Sequence, residues 1–222
     1  MTVLSAKPVR RSFPDIVPYV RFCLGQIRLP MLIIPPIAAV SLGIACYYQG
    51  AFVQKHVVEA AALIVLGAAM LVGGLQWAIK RDAFAGWVLG VTLALFCREL
   101  HFMGTSSGVY VALVFLALFA WFKYPWFADY LAHRRNLTLL AMAMFTYALS
   151  VSIDQHWWQF DVILNMGTTL EECLEIVGHA FVLLLALTMR KGKGVLLYPQ
   201  ATWAASEEIT SPTQDTTNTN SD

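Results

Sequence analysis

Residues 168–192 read TTLEECLEIVGHAFVLLLALTMRKG. The second half is an apolar run of the kind that crosses hydrocarbon, while the first half carries Glu171, Glu172, Glu175 and His179. On a helix these four fall at about 0°, 100°, 40° and 80°, so a single face holds them all. The other side carries Leu174, Val177, Phe181, Leu184 and Leu185. Isolated charges at membrane depth cost several kcal/mol, so such a face requires a polar partner. The stretch therefore predicts the last span of a helical bundle, with its acids turned toward a polar interior.

Composition carries the same reading to the whole chain. Of 222 residues, 58% are hydrophobic and 13% are charged, and the mean hydropathy is +0.62. A soluble domain carries about a quarter charged residues. The fold class expected is all-α, a polytopic membrane helical bundle of about six transmembrane helices. A net charge of +1 gives no global bias toward nucleic acid, and no phosphate-binding loop or dinucleotide fingerprint is present. Cys23, Cys46, Cys97 and Cys173 lie in or beside apolar segments without a C-x-x-C pair. They read as small packing residues rather than a disulfide framework. No cleavable signal peptide is expected, because the first apolar run lies behind a basic, proline-interrupted stretch.

The expected organisation is a basic cytoplasmic or interfacial segment over 1–28, a six-helix transmembrane domain over 29–190, and a cytoplasmic, mostly disordered tail over 191–222. PDIVPYVRFCLGQIRLP within the first segment reads as a short helix lying in the interface. The spans are placed at 29–48, 57–79, 84–103, 109–122, 137–153 and 163–189. Pro35 and Pro36 kink the first span unless its helix begins at them. GTSSG reads as a tight turn into the fourth, and the aromatics of 121–127 as an interfacial belt. Basic residues collect in alternate links: the N-terminal segment, Lys80 and Arg81, then Lys123, Arg134 and Arg135, and finally Arg190, Lys191 and Lys193. The positive-inside rule then puts both termini in the cytoplasm. The membrane is the cell membrane, the inner one in a Gram-negative cell.

This topology brings the ionisable residues of spans three, five and six into the outer half. The third ends in CRELHFMG, with Arg98, Glu99 and His101. The fifth is followed by Asp154 and His156, which read as accessory groups at the outer face, and Glu59 opens the second. Arg98 is the strong cation available there, and its planar fork suits Glu171, Glu172 or Glu175.

Three readings of that site arise. In the first, His101, His179, Glu171 and Glu99 offer nitrogen and oxygen ligands to a divalent metal such as zinc. Glu175 and Glu172 then do acid–base work and Arg98 orients the substrate in hydrolysis of a lipid-type molecule. None of the specific metal motifs is present. In the second, Glu172, Glu175 and His179 form a proton or ion relay, continued by Thr92 and Gln76. In the third, the Arg–Glu network is structural, in a subunit that docks a membrane-protein partner. A haem between His101 and His179 suits neither their depths nor the surrounding carboxylates. Ser106 and Ser107 read as turn residues rather than nucleophiles, and Trp157 and Trp158 as interfacial anchors.

Overall fold

The computed structural model describes residues 21, 24–48, 55–100, 105–155, 157 and 161–192, and within them every regular element is helical. A 3-10 helix, Leu29–Ile33, leads into α1 (Ile34–Tyr48). Then follow α2 (Lys55–Lys80), α3 (Ala83–Glu99), α4 (Thr105–Phe122), α5 (Tyr124–Leu131), α6 (Arg134–Asp154) and α7 (Asp161–Thr188). Three segments, Leu29–Cys46, Val57–Lys80 and Arg134–Asp154, are long and apolar enough to cross a membrane. That makes the chain a membrane protein.

The central element is α7. It packs most extensively on α6, then on α2 and α1, and only lightly on α3, which lies against α2 and α4. Three core layers stack along it. Leu185, Ala186 and Met189 pack with Phe84, Phe127 and Tyr130 at one end. Val182 packs with Leu66, Ala69, Leu95 and Ala143 in the middle. Cys173 and Leu174 pack with Ala39 and Ile153 at the other end. Small residues set the close approaches. A Cβ on Gly73 would sit 3.6 Å from the Leu89 Cα, an ordinary van der Waals contact that shows how near the α2 and α3 backbones run.

The local chemistry explains the boundaries. The helix of α1 begins at Ile34, with Pro35 and Pro36 in its first turn, where missing N–H groups cost nothing. The kink expected at mid-span is thereby avoided. Between α2 and α3 stand only Arg81, at φ 50°, and Asp82, whose carboxylate accepts from the Ala85 N–H at 2.8 Å. A left-handed residue followed by an N-cap reverses the chain in two residues. The Thr105–Gly108 stretch is the first turn of α4, not a tight turn before it. Short hydroxyl residues favour helix starts, and that preference won over the turn reading. The aromatics of 121–127 do not form a simple belt either, since most of them belong to the short helix α5. Phe127 and Tyr130 turn inward from it, with Tyr130 stacked on Phe84 at 4.5 Å, while Trp126 stays exposed. Most of the interfacial helix, most of the fifth-to-sixth link and the tail beyond Gly192 lie outside the described residues.

The basic links gather at one end of the bundle. Lys80 Nζ donates to the Met189 carbonyl at 3.2 Å. Asn136 Nδ2 donates to the carbonyls of Tyr130 and Arg190 at 3.0 and 2.8 Å. Arg134 Nε donates to the Gln26 carbonyl at 3.1 Å. Lys80 and Asn136 thereby satisfy the Met189 and Arg190 carbonyls just past the C-terminus of α7.

Candidate functional site

Arg98 and Glu99 close α3, Tyr147 and Ser150 lie in the second half of α6, and Glu175 and His179 lie one turn apart on α7. Counted at 1.5 Å per residue from Ala83, Arg134 and Thr188, Arg98, Ser150 and Glu175 each stand about 20–24 Å from the basic end. They therefore share a level, between the middle core layer and the one at Cys173.

Two connected arms make up the site. In the first, the Arg98 guanidinium (Nη2) pairs with Glu175 Oε1. Ser150 Oγ donates to the same carboxylate oxygen at 3.1 Å. Of the three carboxylates open to Arg98 on sequence grounds, Glu175 receives the ion pair. Since α3 and α7 barely touch, the long arginine spans the gap that a shorter cation would leave open. The Arg98 side chain is 24% exposed and that of Glu175 10%, so this arm is the more accessible one.

In the second arm His179, with no exposed surface, sits between two acids of different strength. Tyr147 Oη lies 2.6 Å from Nδ1, and Glu99 Oε1 lies 3.5 Å from Nε2. The Nε2 contact is too long for a good hydrogen bond and short enough for an ion pair once the ring is charged. When the Tyr147 hydroxyl donates to Nδ1, the ring proton sits on Nε2 and points at Glu99. When Nδ1 carries the proton, Nε2 presents a lone pair there instead. One proton added to the ring gives an imidazolium that donates to both partners. The arrangement can therefore hold and pass a proton without moving a heavy atom far.

Glycine makes the second arm possible. A Cβ on Gly178 would stand 3.1 Å from the Tyr147 ring, so only a bare α-carbon lets that ring lie across α7 beside His179. Gly178→Ala should push the ring back and lengthen the Tyr147–His179 contact. Overpacking costs about 1–3 kcal/mol, against about 1 kcal/mol that alanine returns in helix propensity. A net lower Tm is expected in thermal unfolding of the purified protein; a higher Tm would mean that the ring gives way freely.

Other residues expected at the site are placed as follows. Glu171 and Glu172 are half-buried, and Glu171 is within electrostatic reach of Glu175, Asp154, Arg98 and Glu172. Asp154 is exposed and accepts from Gln155 Nε2 at 3.0 Å. His101 and His156 lie outside the described residues. Among the described residues no three His, Cys, Asp and Glu side chains come close enough to share a metal ion. Thr92 does not extend the relay as a donor, because its hydroxyl is given to the Val88 carbonyl of its own helix at 2.7 Å.

Tyr147 and Ser150 were not anticipated from sequence. Their signal is a polar stripe on the fifth span: Asn136, Thr146 and Ser150 are all buried there, with Tyr147 beside them. Comparison with protein-family models, with curated proteins and with solved structures gave no match, so the geometry of this site is what bears on function.

Proposed function

We propose that the chain is a six-span membrane protein, with both termini on its basic, cytoplasmic side. Its working element is a proton-exchanging site in the outer half of the bundle, which couples protonation to the passage of an ion or solute. The clustering of Lys80, Arg134 and Arg190 at one end supports the orientation. The span count draws on α3, α4 and α7 as well. The 28 residues of α7 are ample to cross, and its buried Glu175 is turned to Arg98 rather than lipid. The observation that carries the functional reading is His179, fully buried between Tyr147 and Glu99.

Burial favours the proton reading over the hydrolytic one. A lipid ester does not reach a ring with no exposed surface unless the bundle opens, whereas a proton is small enough to pass from the more accessible Arg98–Glu175 arm, which lies within electrostatic reach of Tyr147. In this reading Glu175 takes protons from the outer side, Arg98 holds its carboxylate in place, and Glu99 and Tyr147 set the charge and tautomer of His179. The Lys80–Met189 and Asp82–Tyr130 contacts keep the other end of the helices packed while the site changes charge.

The test is proton flux in liposomes containing the full chain, read with an enclosed pH dye under an imposed pH gradient and a clamped potential. Glu99→Gln and Glu175→Gln each keep the side chain's size and a hydrogen-bonding group. Each is expected to cut the protein-dependent flux at least about tenfold with the helical spectrum unchanged. Flux equal to empty liposomes, or equal in Glu99→Gln and wild type, would sink the reading.

A further inference from the structure

The opposite side of α7 carries a pair of thiols that the acid–base site does not use. Cys173 has no exposed surface and belongs to the layer with Ala39, Ile153 and Leu174; Cys46 of α1 packs against that layer. Both are free thiols, Cys46 partly exposed and Cys173 buried, and the two are neighbours in that layer. On α7 Cys173 is turned about 160° from Glu175, so the pair stands apart from the proton site. A buried cysteine alone is usually an inert packing residue. Here two cysteines from different helices are neighbours, and one of them is reachable from outside. Disulfide formation asks for a Cβ separation of about 3.5–4.5 Å, a distance within the range of neighbours packed in one core layer.

We propose that Cys46 and Cys173 are a redox-switchable pair that closes into a disulfide stapling α1 to α7. Exposure sets the order of events. The Cys46 thiol gives up its proton, attacks one sulfur of a small disulfide oxidant and releases the first thiolate, leaving a mixed disulfide on Cys46. Cys173 then loses its proton and attacks the Cys46 sulfur, expelling the second thiolate. The two protons end on the departing thiolates. One sulfur–sulfur bond forms in the protein and one breaks in the oxidant, which takes up two electrons and two protons. The closed bond fixes α1 on the back of the helix that carries Glu175 and His179. In the open state packing helps to hold α1 there, as where Gly43 faces Leu170.

The experiment uses the full chain in lipid nanodiscs, incubated with oxidised glutathione, alkylated with a maleimide and digested without reductant. The expected result is a linked peptide pair containing Cys46 and Cys173 in a protein about 2 Da lighter before alkylation, reversed by dithiothreitol. The oxidised form should melt at least about 5 °C higher, since the bond closes a long loop. Cys46→Ser, a change at a partly exposed position, removes both the linked peptide and the shift; Cys97→Ser changes neither. Recovery of both thiols reduced, glutathione retained on Cys46 with Cys173 unlinked, or bonds only between copies would each overturn the proposal.

Discussion

Arg98→Ala is expected to destabilise the folded protein by about 3 kcal/mol, the lower end of the range for breaking a buried ion pair from one side. The cost comes from the carboxylate left behind. Glu175 is a buried residue, and its Oε1 then keeps only the Ser150 hydroxyl. The side chain of Arg98 is partly exposed, which holds the figure at that lower end. Arg98→Met combined with Glu175→Leu should cost less than Arg98→Ala alone, because the double change removes both charges and refills the gap with apolar atoms. Arg98→Lys should fall between wild type and alanine, since an ammonium keeps the charge without the fork. Unfolding in detergent, followed by circular dichroism, orders the four proteins. A double variant less stable than Arg98→Ala would show that the ion pair contributes more than the isolated cost of stranding Glu175.

How much of this was legible before any coordinates depends on which force did the placing. Helix period alone put Glu175 and His179 on one face, and the cost of charge in hydrocarbon alone demanded a partner such as Arg98. Both forces act within single helices or through charge, and neither needs tertiary detail. Tyr147 and Ser150 escaped because their assignment depends on how α6 rotates against α7. That rotation is fixed by Gly178, a residue whose role is to be absent at Cβ. Residues of the α5 helix looked like membrane-surface aromatics. Whether Phe127 faces lipid or packs edge-on against Phe84 is decided by the α2–α3 hairpin, far from it in sequence. Among the described residues three helices are long and apolar enough to cross a membrane, where sequence suggested six. Of the other helices, α7 carries three glutamates in its apolar stretch and α3 is 17 residues long. Those are the helices that bear the site or buttress it. Conflict with the span rule and polar chemistry coincide there, as expected when function is placed against local preference.

Asp82→Ala should produce the second large loss, about 2–4 kcal/mol, at the other end of the bundle. One carboxylate there serves two elements. Its Oδ1 caps α3 through the Ala85 N–H, and its Oδ2 accepts from the hydroxyl of buried Tyr130 on α5. Loss of the cap costs about 1 kcal/mol, and an orphaned buried hydroxyl about 1–3 kcal/mol more. Tyr130→Phe removes only the second contribution, and Asp82→Asn keeps the cap acceptor while its amide N–H donates to the Tyr130 hydroxyl in place of the lost acceptor. Stability should therefore fall in the order Asp82→Asn, Tyr130→Phe, Asp82→Ala. The pH profile separates the phenol from the cap. Burial, followed by the neighbouring Asp82, raises the Tyr130 pKa well above its ordinary 10.0. A phenol that ionises at higher pH when folded than when unfolded binds more protons in the folded state between those two values, so folding loses stability as pH rises there. Wild type should hold its Tm up to about pH 10 and then decline, and Tyr130→Phe, lower at neutral pH, should lack that part of the decline. Parallel alkaline profiles for the two proteins would mean that the Asp82–Tyr130 contact does not fix α5 against the α2–α3 hairpin.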